Sequence, residues 1–260
     1  MQFDLISNLH IETWSPDQQV KWQGLGTSLV ALVLGNVSAS LNKSYQTVIE
    51  ISKHYKHLIF LDGDLEHDGT CPINETREII KEKFNKYRNI TYLYRNSIIL
   101  DNVAFIGSHG WYSFDFCEPI VSKQQCFHAL IDQGMSQDRL FDQWEMAMED
   151  AAYIASGVEH FSRDKAVDQV VVATYSCPQV HILPQPKTIL DQQDLGSMGS
   201  SFFQEVYAKD KNKKIKTWAF GNHPNVCDQT INGIRYVCNP RGTPATSSTN
   251  YYYYPMLVKN

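Results

Sequence analysis

Five short apolar runs in this chain each stop at a polar cluster: SNLHIE (Ser7–Glu12), LGNVS (Leu34–Ser38), LDGDLEHDG (Leu61–Gly69), ATYSCP (Ala173–Pro178) and FGNHPN (Phe220–Asn225). A sixth polar segment, CNPRG (Cys238–Gly242), follows the last hairpin signal. Short apolar runs bounded by turn formers predict buried strands, and the stretches between them carry helical periodicity. Strands alternating with helices, then a hairpin-rich second half, predict a layered α/β fold. The expected architecture is two mixed β-sheets flanked by helices, as one domain over residues 1–260.

The individual elements follow from local chemistry. Strands are expected at Phe3–Ser7, Leu29–Leu34, His57–Leu61 and Ile90–Tyr94, and helices at Ser44–Tyr55 and, with Asn74 as N-cap, along NETREIIKEKFNKY. Asp101-Asn102 and Asn232-Gly233 each read as a tight hairpin turn. The second turn sets Cys227 opposite Cys238, so a cross-strand disulfide is conceivable, with free thiols the simpler reading. The segment Ser136–Phe161 is helical, and Leu140, Trp144, Ala147, Met148, Ala151 and Ile154 read as its core face.

Composition narrows the function classes. Hydrophobic residues make up 43% and charged residues 20%, which excludes disordered and coiled-coil classes. A formal net charge of −5 argues against general nucleic-acid binding, since a surface that tracks a phosphate backbone is basic. No apolar stretch approaches the roughly 20 residues of a membrane span. The first strand begins close to Met1 without a basic or long apolar leader, so the expected location is cytoplasmic.

Taken together and in order, the six polar segments resemble the calcineurin-like metallophosphoesterases. Their motifs run D-x-H, G-D-x-x, G-N-H-[DE], an isolated His and G-H-x-H, with N-P-R-G after the final hairpin. Gly63-Asp64-Leu65-Glu66-His67 is similar to a G-N-D-E-H form of the third motif. The resemblance covers nearly the whole chain. It implies a centre in which two divalent ions, roughly 3.5–4 Å apart, clamp a phosphate ester and activate a hydroxide. Such a pair of ions needs carboxylates and neutral imidazoles around it.

Matched position by position, the ligand set departs from that pattern. Asn8 and Asn36 stand where Asp is expected, and only His10 survives from the first motif. Asp64 replaces the Asn of the third motif and Leu65 the residue after it; Tyr175 replaces the isolated His. Asn222 and Pro224 replace the two His of the last motif, with His223 between them. The turn glycines Gly35, Gly63 and Gly221 are kept. Two carboxylates have become amides, Pro224 has no side-chain donor atom, and a neutral phenol is a poor ligand below its pKa of about 10. The expectation is a site with no metal and no catalytic residue. The alternative is one weakly bound Mn or Mg ion held by His10 and Asp64. His67, Glu66 and Asp68 are nearby acid–base candidates, against the plainer reading of a polar loop.

The functional expectation is a catalytically inactive relative kept for its surface, as an adaptor subunit with protein partners in a larger bacterial or phage assembly. A secretion-system coupling complex is one such setting. A residual single-metal phosphodiesterase and a nucleotide- or phosphate-binding sensor are the alternatives, and a homo-oligomer is compatible with all three. Tyr251, Tyr252, Tyr253 and Tyr254 form the candidate interface, because Tyr joins a large apolar area to a polar tip; packing under a final strand is the competing reading. The aromatic loop GSHGWYSFDFC (Gly107–Cys117) is expected to line the cleft, and KDKNKKIK (Lys209–Lys216) to be a solvated connection.

Overall fold

The computed structural model describes residues 1–68, 71–116, 122–183, 196–245 and 252–259. In chain order the strands are β1 (Gln2–Ser7), β2 (Val30–Leu34), β3 (His57–Leu61), β4 (Ile90–Tyr92), β5 (Asn96–Leu100), β6 (Val103–Ser108), β7 (Gln169–Thr174), β8 (Ile215–Phe220), β9 (Cys227–Ile231), β10 (Ile234–Cys238) and β11 (Met256–Lys259). The longer helices are α1 (Leu41–Ser52), α2 (Ile73–Phe84), α3 (Lys123–Asp132), α4 (Gln137–Arg163) and the short α5 (Gln204–Lys209).

One sheet has the order β11-β1-β2-β3-β4 and the other β5-β6-β7-β8-β10-β9. Both are parallel in the middle, with antiparallel edges at β11, β5 and β9. Parallel strands covered on both faces need apolar residues at every position, which is why VALVL and QVVVAT lack alternation. Alternate side chains still go opposite ways. Phe3, Leu5, Leu32 and Ile59 pack between the sheets against Phe105, Val171, Ala219 and Val237. Ile6, Val33 and Phe60 pack outward with Val48, Ile51, Ile80 and Phe84 of α1 and α2. On the far side Ile106, Val172 and Trp218 meet Ile154, Ala155 and Val158 of α4. The result is helix, sheet, sheet, helix.

Two polar anchors fix this stack. Buried Asp4 accepts from Thr27 N at 2.7 Å and Tyr55 Oη at 3.0 Å, tying β1 to the segment before β2. Lys214 is no solvated residue: its ammonium donates to the carbonyls of Phe161, Asp164 and Val167 and closes the C-terminal end of α4.

Several expectations change on contact with the fold. Helix α2 starts at Ile73 with Pro72 in the cap position, so Asn74 lies inside the first turn. Along α4, Leu140, Ala147, Ala151 and Ile154 are core, but Trp144 is half-buried and Met148 exposed at the rim. Both hairpin turns form as expected, with left-handed Asp101, Asn102, Asn232 and Gly233. Cys227 and Cys238 are opposite one another as counted, and both are buried free thiols. Strand β11 begins only after the tyrosines. Tyr253 is buried, Tyr252 and Tyr254 are exposed, and Tyr251 lies outside the described residues. Among the described residues no helix is long and apolar enough to cross a membrane.

Candidate functional site

The C-terminal ends of β1, β2, β3, β7 and β8 deliver their polar tails to one edge, and the segment after β10 joins them through a bridge between Ser7 and Pro240. There Asn8 and Asn36 adopt left-handed backbone, φ 47° and 49°, a conformation Asn tolerates better than most residues. Asn8 Nδ2 donates to the Gly221 carbonyl at 3.0 Å. Asn36 Oδ1 accepts from Leu65 N at 2.9 Å, and its side chain also meets the Tyr175 phenol. The Tyr112 hydroxyl donates to Asp64 Oδ2 at 2.5 Å and accepts from Asn222 Nδ2 at 3.1 Å. Five of the substituted positions are thus held in one polar cluster, with Tyr112 of the aromatic loop as an added member.

Tyr175 fills the middle of it. The side chain is 1% exposed, and its ring lies on the backbone of three turns. A Cβ built on Gly35, Gly63 or Gly221 would stand 2.5, 2.8 or 2.7 Å from ring carbons of Tyr175. These glycines therefore leave room for an aromatic ring. Burial, followed by the charges of Asp64 and Glu66, holds the Tyr175 phenol well above its ordinary pKa, so it stays neutral.

No protein-family model and no curated protein matches the chain. Among solved structures, phosphopantetheinyl hydrolase (PptH) from Mycobacterium tuberculosis is 12% identical over 99% of this chain and 95% of its own, with a TM-score of 0.75. The fold is metallophosphoesterase-like. A second solved chain, 11% identical, covers 92% of this chain and 90% of its own at a TM-score of 0.54. A candidate 5′-nucleotidase from Staphylococcus aureus, in complex with alpha-ketoglutarate, is 12% identical over 99% of this chain but 52% of its own, at 0.48. At these identities the likeness is one of fold.

The metal pair implied by such a fold can be tested against the atoms present. Among the described residues, two buried oxygens at the strand ends lack a hydrogen-bond partner, Asn8 Oδ1 and Asp64 Oδ1. One is neutral, and the other is anionic and lies 3.4 Å from His109 Nε2. That donor set does not fit two dications, whose mutual repulsion demands bridging negative charge. His10 does not pair with Asp64. Its ring makes no hydrogen bond or ion pair among the described residues, burial lowers its pKa, and its charged neighbour is Glu12. His223 turns away to the Ile182 and Asn225 carbonyls, and Pro224 is exposed.

Glu66 and His67 are not surface acid–base groups either. Glu66 accepts from the backbone N–H groups of Asn36, Val37, Ser38 and Gly63 and from the Ser44 hydroxyl, locking the β2 and β3 turns together. Burial pushes its carboxyl up to about 7 against the pull of those donors. Asp68 stays exposed.

A deeper cluster escaped the sequence reading. Asp62, His67 and His109, all buried, each bring a ligand-type atom within 4.8 Å of the others, a composition that could hold a metal ion. As arranged, both Asp62 oxygens are taken, while His67 Nδ1 and both His109 ring nitrogens lack a hydrogen-bond partner among the described residues. Asp62 accepts from His67 Nε2 at 2.6 Å and from Tyr92 Oη at 2.6 Å, and the Arg77 guanidinium lies 3.8 Å away. Burial alone would raise the Asp62 pKa, but His109, His67 and the Arg77 charge carry it well below the ordinary carboxylate range. The Arg77 charge lies against Asp62, so an ion there would share its carboxylate with a cation, although unpartnered imidazole nitrogens face it. His109 stacks on Trp111 with ring centroids 3.8 Å apart and sits 3.4 Å from Asp64, linking this network to the strand-end cluster. Only its place in the aromatic loop hinted at such a role.

Proposed function

We propose that this protein is a non-catalytic member of the metallophosphoesterase-like fold that works by binding. The observation that carries the reading is the Tyr175 ring, packed on Gly35, Gly63 and Gly221 where the resemblance calls for an imidazole ligand. Around it Asn8, Asn36 and Asn222 spend their amide groups on carbonyl, amide and phenol partners. An amide can donate as well as accept, so it knits such a cluster together, whereas two more carboxylates would repel Asp64.

The adaptor reading rests on the surface. Tyr252 and Tyr254 are 82% and 61% exposed beside a cavity lined by Asp17, Gln18, Lys21 and Leu25. Exposed tyrosines next to a concavity suit a protein partner. The test is hydrolysis of a generic phosphodiester with Mn²⁺ supplied, run beside affinity purification of the full chain from its native cell. The reading expects no turnover above buffer and a stoichiometric protein partner lost on Tyr252→Ser with Tyr254→Ser. Metal-dependent turnover would reject it.

A further inference from the structure

We infer that a cavity beside the strand-end cluster is a binding site for an amino-bearing nucleobase. The inference does not depend on whether the strand-end cluster has lost turnover. The cavity measures about 260 Å³ and lies between the turn after β3, the aromatic loop after β6, and the α3–α4 pair. Tyr112, Phe114, Leu130 and Met135 supply apolar wall, and Asp64, Asp68, Arg139 and Gln143 the polar groups.

Gln143 is the residue that points to a ligand. It is 4% exposed, lines the cavity, and makes no hydrogen bond among the described residues. Its amide atoms are not among the enclosed polar atoms that lack a partner, so they open on the cavity, and whatever fills the cavity must satisfy them. Gln143 sits one helical turn after Arg139 on α4, so the two share a face. The Arg139 guanidinium donates to the His67 carbonyl at 3.0 Å, and its buried Nε has no partner.

The chemistry of the lining selects the ligand. An amide offers a donor and an acceptor side by side and pairs best with a group presenting both, as the edge of a nucleobase does. Aromatic walls suit the flat face of a base, for which stacking is a general mode of recognition. Asp64 and Asp68 accept from an exocyclic amine, which adenine, guanine and cytosine carry and uracil does not. The volume lies just below the roughly 300 Å³ where pockets for drug-sized ligands begin, so it suits a base with little attached. A bare phosphate fits poorly, because two carboxylates face one arginine.

Calorimetry of the full chain in EDTA, with adenosine, guanosine, cytidine and uridine and with ribose 5-phosphate as the base-free control, tests the inference. At least one amino-bearing nucleoside should bind one to one, at least tenfold tighter than uridine or ribose 5-phosphate. Gln143→Leu should weaken that binding at least tenfold while its melting temperature holds or rises. Nitrogen-15 spectra of the wild type should show the Gln143 side-chain amide shifting on titration, which keeps the test open if the variant folds poorly. No binding at millimolar concentration, equal binding of uridine, or an unmoved Gln143 amide would overturn it.

Discussion

Tyr175 and Gly35 are fitted to one another: at φ 56°, Gly35 turns its backbone so that even a methyl group would come within 2.5 Å of the Tyr175 ring. Gly35→Ala should therefore combine left-handed strain with a clash against a buried ring. A loss of about 2–4 kcal/mol is expected, the strain and overpacking costs together. Tyr175→Ala should lose about 3–5 kcal/mol through the cavity it leaves, whereas Tyr175→Phe should stay within about 1.5 kcal/mol. Urea unfolding midpoints measure all three.

The Tyr112 hydroxyl bridges Asp64 and Asn222, so Tyr112→Phe removes a donor from a carboxylate. A loss of about 1.5–3 kcal/mol is expected, the range for hydrogen bonds to charged groups. If Asp64→Asn is introduced first, the further cost of Tyr112→Phe should shrink, and a double-mutant cycle reads the coupling.

Asp62 gives the pH dependence. Its folded pKa is depressed below the ordinary 3.8, so its stabilising contribution is present above that value and is lost as pH falls through the lower folded value. Asp62→Asn leaves buried Arg77 with Asp150 as its remaining countercharge and should cost about 3 kcal/mol at pH 7. The gap between wild type and Asp62→Asn in urea midpoint should narrow only below about pH 4, where the unfolded carboxyl protonates. A gap that stays constant down to pH 3 would show that the charge of Asp62 is not what matters.

Restoring the ligand types tests the position-by-position match. Asn8→Asp, Asn36→Asp, Tyr175→His, Asn222→His and Pro224→His together remove the ring plug and return anionic oxygen and imidazole. The combined variant should bind Mn²⁺ measurably more tightly than wild type in an equilibrium titration. Tyr175→His alone should gain little, since one imidazole cannot compensate for two absent carboxylates.

Much of this fold was legible because its signals are local. Apolar runs marked the strands, Asp101-Asn102 and Asn232-Gly233 marked the hairpins, and the helical segment expected over Ser136–Phe161 is α4. The Pro72 start of α2 was hidden because Asn is a favoured N-cap type, whereas Pro72 holds the cap position without a side-chain hydrogen bond. The strand-end residues could be placed by their order along the chain. The Asp62–His67–His109–Arg77 network could not. Its members come from three elements, and no spacing in the sequence joins Arg77 of α2 to a histidine beyond β6. The four tyrosines looked alike in the sequence, but of the three described only Tyr253 reaches Asn239 and the Ser7 amide through its hydroxyl.

The most direct test of the central claim is calorimetric titration of the full chain with Mn²⁺, with metal content measured after dialysis. The account predicts no saturable heat at micromolar metal and no retained ion at the strand ends. Two equivalents of tightly held Mn²⁺, released when Asp64 is changed to Ala, would contradict it.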